Sequence, residues 1–492
     1  MARVIDVEAT QRPTGRTPAK GSRTTAALAV LRRHRALVIL IAAALVLRIV
    51  AMIAIYPGIW FSDSNSYVTA AATGTLSPTR VSGYSLFLWP FYEIGSAGAL
   101  IGAQHLVGLG MAVALYALMR HRGVPVALAV LGVAPAVLDA YLLQIESTMM
   151  SETIFHASIV ATLVVLLWKD RPGLVATSAA GVLLGYAAVV RSVGMPLIVV
   201  FLLYILVRRL GWRAFATFAV GWALVLFGYA AIYNAQHGKF GLTQSNGRFL
   251  YGKIAPFANC STLDGVPANE RYLCPDPRHP FTTNSAMWGP KSPIRGKPPS
   301  ADKQIRDFAT RVVKQHPLKY ARVVTLDFLH YFEPGHRIGT NDPKITQWEF
   351  PADPNHWAIP PNGYRGPIRR GVNGRAFWPN AEVNQMVGRH PHTNVTASKT
   401  LHVYQRFAYT SGQILALCVL VVVIALALRR GAWRLRLDAA LLAGCVLTML
   451  LFAVALSVFS YRYGLVAPIL LPVAAAFGGA ALLEGRRRTV DG

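Results

Sequence analysis

Three acidic residues stand where an acid is costly. Asp63 lies in Phe61-Ser-Asp-Ser-Asn-Ser-Tyr67, just past the first long apolar run, and Glu146 and Glu152 lie in Gln144-Ile-Glu-Ser-Thr-Met-Met-Ser-Glu152, between two further apolar runs. A carboxylate at the mouth of a membrane segment must be solvated or paired, which makes it a functional candidate. Together the three could form a general base with supporting acids, or the ligands of a hard cation. Simpler readings stand beside these. Asp63 could open an Asx-turn with Ser64 and Asn65, Glu146 could be a solvated loop charge, and Glu152 could sit in a helix first turn capped by Ser151.

Basic groups accompany the acids. Arg191 occurs in Val190-Arg-Ser-Val-Gly194, and Arg462 in Ser460-Tyr-Arg-Tyr-Gly464 between Tyr461 and Tyr463, which could hold its guanidinium by stacking or hydrogen bonding. A guanidinium fork suits phosphate, although an arginine at a membrane boundary can also snorkel to lipid headgroups. His330, in Asp327-Phe-Leu-His-Tyr-Phe-Glu333, is a further candidate for a phosphate.

The elements that must position these residues are apolar. The 492-residue chain is 53% hydrophobic and 14% charged, where soluble proteins carry roughly 25% charged residues. Apolar runs at about 36–56, 96–119, 124–143, 153–168, 174–190, 194–207, 214–233, 407–428, 438–459 and 464–483 predict an all-α integral membrane protein of about ten transmembrane helices. Arg48 and His105 fall inside such runs, His105 as a hydrogen-bonded packing residue.

The net charge of +27, from 49 Lys and Arg against 22 Asp and Glu, sits largely in short clusters at alternate connections. These are Arg120 and Arg122, Lys169 and Arg171, Arg208, Arg209 and Arg213, Arg429, Arg430, Arg434 and Arg436, and Arg486 to Arg488. That is the positive-inside pattern of a multi-pass protein of the cell membrane, with contacts to anionic lipid and no nucleic-acid motif. It places both termini in the cytoplasm, and Asp63, Glu152, Arg191 and Arg462 on the outer face. Abundant Ala, Arg, Val and Gly suggest a bacterial genome.

The organisation expected is a disordered basic cytoplasmic tail over 1–35, a membrane core of about seven helices over 36–233, and a mixed extracytoplasmic domain over 234–405. The last three membrane helices follow over 406–484, then a short tail over 485–492. Within the 234–405 segment, apolar spacing from Asp302 to Tyr331 predicts two helices broken at Pro317. Trp288, Trp348, Trp357 and Trp378 could stack on sugars or support a small domain. Cys260 and Cys274 are placed to form a disulfide if the segment faces an oxidising compartment, and Cys418 and Cys445 read as packing residues.

Carboxylates beside arginines at an outer membrane surface suit one reaction. A lipid phosphate carries an activated group, arginines hold the departing phosphate, and a carboxylate deprotonates an incoming hydroxyl. In Phe61-Ser-Asp-Ser-Asn-Ser-Tyr67 followed by Gly83-Tyr-Ser-Leu-Phe87, Met150-Ser-Glu152, the Arg191 and Gly194 turn, and Arg462-Tyr463, the chain resembles the GT-C superfamily of polytopic glycosyltransferases. The likeness is to bacterial relatives of protein O-mannosyltransferases and of the lipid A aminoarabinose transferase.

The resemblance implies a GT-C-like core and transfer of a sugar from a polyprenyl-phosphate donor to a hydroxyl of an envelope glycan, lipid or protein acceptor. It implies Asp63 as base and Glu152 as supporting acid. Some members pair two acids in the first loop and use a divalent metal; here Asp63 stands alone, which puts a metal in doubt and leaves a divalent ion as an open alternative. The rival expectation is a transporter or lipid flippase for envelope precursors. Such proteins usually gather polar residues at the bilayer midplane in paired repeats, whereas here they gather at the rim.

Overall fold

The computed structural model describes residues 32–276, 278, 280–335, 348–352, 380–387, 392–429 and 431–490, the last five as backbone only. Residues 1–31, Trp357, Trp378, Arg430 and the side chains of Arg486, Arg487 and Arg488 lie outside the described residues.

The described chain is mostly helical with almost no strand. In order it forms α1 (Arg35–Ala54), β1 (Ile55–Tyr56), α2 (Ser62–Thr73), α3 (Gly83–Glu93), α4 (Ala97–His121), α5 (Val126–Leu138) and α6 (Ala140–Glu146). Then come α7 (Glu152–Leu167), α8 (Leu174–Val190), α9 (Leu197–Val207), α10 (Trp212–His237), α11 (Asn246–Ile254), α12 (Thr283–Trp288), α13 (Asp302–Gln315) and α14 (Pro317–His330). The chain closes with α15 (Ala381–Val387), β2 (His392–Thr393), α16 (Val395–Gln405), α17 (Gly412–Ala427), α18 (Trp433–Leu456) and α19 (Ala467–Val490).

Among the described residues, five helices are long and apolar enough to cross a membrane: α1, α4, α10, α18, and the stretch Tyr461–Gly485 that ends in α19. The bent pair α5–α6 makes a sixth if taken as one span. Shorter apolar helices cover Glu152–Leu167, Leu174–Val190, Ser192–Val207 and Gly412–Ala427. Two boundaries differ from expectation. Helix α10 runs on to His237, past the expected start of the polar segment, and α19 continues through the expected tail to Val490.

Small residues let the helices approach closely. A Cβ on Gly181 of α8 would fall 2.1 Å from the Phe218 carbonyl oxygen of α10, and one on Gly221 of α10 would fall 2.5 Å from the Ser178 carbonyl oxygen. Such backbone contact is how apolar helices associate where water supplies little driving force.

The 53° bend between α5 and α6 has a local cause. Asp139 ends one helix and caps the next, its Oδ1 accepting from the Tyr141 and Leu142 amides and its Oδ2 from the Thr410 amide at 2.7 Å. The break turns α6 so that the chain leaves Glu146 toward Ile59. Ile59 donates its amide to the Ser147 carbonyl at 2.8 Å and accepts from the Met149 amide at 2.9 Å.

The middle segment forms a small lobe with its own core of Tyr251, Ile254, Leu273, Ile305, Phe308 and Val312. Pro317 divides α13 from α14, as the sequence predicts. The Cys260–Cys274 disulfide is formed, with Cα atoms 5.8 Å apart. Buried Lys253 of α11 pairs with Asp327 of α14, and the Tyr320 hydroxyl donates to the Ala455 carbonyl of α18 at 2.7 Å, so the lobe is fastened to the bundle. At the other end of α18, Asp438 accepts from Arg122 at 2.8 Å and from the Tyr204 hydroxyl at 2.6 Å, while Asp170 meets Arg122 and Arg434. Several of the clustered arginines therefore tie helix ends together besides carrying charge.

Candidate active site

Asp63 is not a loop residue. Helix α2 begins at Ser62, which puts Asp63 in its first turn, where an acid complements the helix dipole. The helix start is fixed by Ser64, whose Oγ accepts from the Phe61 amide at 3.1 Å and donates to the Met149 carbonyl at 2.8 Å. Ser85 of α3 holds the far side by donating to the Tyr67 carbonyl at 2.8 Å.

The Asp63 carboxylate is buried, at 5% exposure, and both oxygens meet arginines. Arg80 Nη2 lies 2.9 Å from Oδ1, and Arg462 Nη1 lies 3.3 Å from Oδ2. Burial pushes the carboxyl pKa up, but Arg80 and then Arg462 outweigh it and hold the group below the usual carboxylate range.

Glu152 opens α7, yet Ser151 makes no capping bond to that helix. The Ser151 Oγ instead accepts from Arg191 Nη1 at 3.2 Å and shares a hydrogen bond with the Tyr67 hydroxyl at 3.1 Å. Glu152 Oε1 is 2.5 Å from Arg191 Nη1 and 3.1 Å from Arg462 Nε. Arg462 therefore bridges Asp63 and Glu152. Three rings enclose its guanidinium, Trp348 at 4.9 Å, Tyr463 at 5.1 Å and Phe61 at 5.6 Å. Neither arginine snorkels: Arg462 is buried, and Arg191 is pinned by Glu152 and lies 5.2 Å from the Tyr463 ring centre.

Asp63, Arg80, Arg191 and Arg462 line one cavity of about 550 Å³. An apolar flank comes from Met195, Pro196, Phe452 and Leu456, and a polar flank from Thr79, Thr243, Ser245 and Asn246. Asp63, Glu152, Arg191 and Arg462 are thus brought together, as the sequence suggested.

Two expected site residues are placed elsewhere. Glu146 is not a solvated loop acid. It ends α6, buried, with Oε1 3.0 Å from Arg48 Nη2 and Oε2 3.0 Å from His105 Nδ1, and it fills the space that a side chain on Gly108 would need. His330 is not at the cavity with the arginines. Its Nδ1 is 2.8 Å from Glu333, its ring meets Phe459 edge-on, and it lines a separate, water-sized recess with Tyr331 and Tyr461.

Among the tryptophans, Trp348 is buried against Arg462 and Trp288 lies under Arg248, so both support guanidinium groups. Of the two flanking tyrosines only Tyr463 serves Arg462; Tyr461 meets the Tyr141 ring at 4.8 Å.

Sequence reasoning missed Arg80, an isolated arginine between α2 and α3 with the same signal as Arg191: a lone cation at a connection otherwise poor in them. The residues do not fit a metal. Arg80 and Arg462 already set a positive charge against each oxygen of Asp63, and among the described residues no three His, Cys, Asp or Glu side chains are grouped to hold an ion. Comparison with protein-family models, curated proteins and solved structures finds no match for this chain.

Proposed function

We propose that the chain is an integral-membrane glycosyltransferase that moves a sugar from a polyprenyl-phosphate donor to a hydroxyl of a cell-envelope acceptor. The observation that carries this reading is the buried Asp63 carboxylate, bracketed by arginines on the wall of a cavity with one apolar flank. Arginine forks suit a departing phosphate. The apolar flank, at the end of α18 and the start of α9, suits the first isoprene units of a lipid carrier.

In this reading the acceptor hydroxyl attacks the anomeric carbon. Its proton passes to Asp63, the bond from carbon to phosphate oxygen breaks, and polyprenyl phosphate leaves with its charge met by Arg191, Arg462 and Arg80. A carboxylate offers about four lone-pair sites, so the two ion pairs leave Asp63 room to accept. Its low pKa keeps it ionised at neutral pH and makes it a weak base that takes the proton late, as the glycosidic bond breaks. That order suits an oxocarbenium-like transition state. Glu152 keeps Arg191 and Arg462 in place.

The five long helices, the bent pair and the four shorter apolar helices match the ten apolar runs of the sequence. In this proposal all ten cross the membrane with the arginine clusters inside, so that both termini are cytoplasmic and the cavity opens on the outer face. The GT-C-like core belongs to the same proposal.

Transport is the rival, and it draws on Arg48, Glu146 and His105 inside the bundle. Those charges pair with one another, and Arg48 also donates to the Ala44 and Val137 carbonyls, so they are committed to packing. The deciding experiment follows release of polyprenyl phosphate from a polyprenyl-phosphate sugar by purified protein. Release by wild type and its loss in Asp63→Asn supports transfer; donor movement across vesicles without release supports transport.

A further inference from the structure

The charges around the cavity do not balance for a single phosphate. Asp63 and Glu152 are met by Arg462, Arg191 and Arg80, which leaves an excess of one positive charge. A polyprenyl-phosphate sugar is a phosphodiester with one negative charge, so that excess is already matched. A fourth arginine, Arg306, also lines the cavity. Among the described residues it has no carboxylate within ion-pair distance, and it is solvent-exposed.

Arg306 does not come from the membrane bundle. It sits on α13 of the small lobe, beside the start of α11, where a Cβ on Gly247 would lie 2.7 Å from its amide nitrogen. Neighbouring Asn246 and Ser245 belong to the polar flank, and the Ser245 Oγ donates to the Thr79 carbonyl at 2.8 Å. Hydroxyl and amide groups of this kind suit the hydroxyls of a sugar. The apolar lining residues Phe452 and Leu456 belong to α18, and Met195 and Pro196 precede α9.

We infer that Arg306 reads a second negative charge, carried by the acceptor: an anionic glycan with a carboxylate or phosphate near the hydroxyl that reacts, bound along Thr79, Asn246 and Arg306. The inference rests on the glycosyl-transfer reading of the cavity and adds the class of acceptor to it. It also gives the small lobe a task, since that lobe supplies the charge that distinguishes an acidic acceptor from a neutral one.

The test uses the full chain purified in detergent and two matched probe pairs, trigalacturonic acid against its methyl ester and mannose 6-phosphate against mannose. Wild type should bind at least one charged member roughly tenfold more tightly than its neutral partner, the worth of one charge-assisted hydrogen bond. Arg306→Gln should erase that preference, and Arg306→Lys should keep part of it. No preference in wild type, or the same preference in Arg306→Gln, overturns the inference. So does a loss of inorganic pyrophosphate binding in Arg306→Gln equal to the loss for charged sugars, which would assign the charge to the donor.

Polyprenyl phosphate release is measured on the same preparations. Release that depends on Asp63, without charge preference, overturns the acceptor assignment alone. Charge preference without release removes the transfer chemistry and leaves an anionic-sugar site.

Discussion

Arg462 holds Asp63 through Nη1 and Glu152 through Nε, so neither acid can be changed without altering the partner of the other. Asp63→Asn keeps the shape and leaves Arg462 on Glu152. Turnover should fall roughly 10²–10⁴-fold, the usual weight of a general base, with expression unchanged; near-normal turnover would make the carboxylate structural only. Removing both acids strands Arg462 and Arg191. The double variant Asp63→Asn/Glu152→Gln should therefore be less stable than the sum of the single variants, with a coupling of about 0.5–3 kcal/mol in thermal or denaturant unfolding. Additive losses would show that the bridge carries no shared energy.

The acid response has a definite sign. The folded pKa of Asp63 lies below the unfolded value of about 3.9. Its stabilisation is present in full above that value and is lost as pH falls through the folded pKa. Asp63→Asn should flatten the fall of the unfolding midpoint below about pH 4. A fall parallel to wild type in that range would remove Asp63 from the acid response.

At the scale of elements, the α8–α10 contact is set by glycine. With the Phe218 carbonyl 2.1 Å from where a Cβ would stand, Gly181→Val must push the helices apart. Overpacking of this kind costs about 1–3 kcal/mol, read as a lower unfolding midpoint in detergent. An unchanged midpoint would mean that the contact is loose. In the small lobe, the disulfide spans a sequence separation of 14 residues. Paired Cys260→Ser and Cys274→Ser changes should cost about 3 kcal/mol, measured by denaturant unfolding; no loss would mean that the short loop is held without the bridge.

Elements of this kind were partly legible in the sequence. Apolar runs and Pro317 marked helices because burial and the missing proline amide act locally. The partner of an acid is not local. Glu146 was grouped with Asp63 and Glu152 as a candidate acid because nothing local discloses its partners, Arg48 and His105, which lie 98 and 41 residues away. His330 sits in a similar polar and aromatic setting, but its chain position does not disclose which recess it faces. Arg80 carried the same lone-cation signal as Arg191, but only the fold discloses that it meets Asp63.

For the whole molecule, the orientation test is direct. A reporter active only outside the cytoplasm should work when fused near Ser300 and fail near Arg209 or Arg434. Activity at Arg434 would reverse the orientation and place the cavity on the cytoplasmic side.

The Asp63–Arg462 pair also has a consequence in time. The two residues are 399 positions apart. At a synthesis rate of about 5–20 residues per second, roughly 20–80 s separate their emergence from the ribosome. During that interval the nascent chain already carries Asp63 and Arg80, while Glu152 and Arg191 follow and wait for their third member. A half-made chain therefore lacks the guanidinium that bridges Asp63 and Glu152. Arrival of the segment that bears Arg462 draws the two acids onto one guanidinium and closes three aromatic rings around it. Completion of the bridge therefore waits on the last part of the chain to be made.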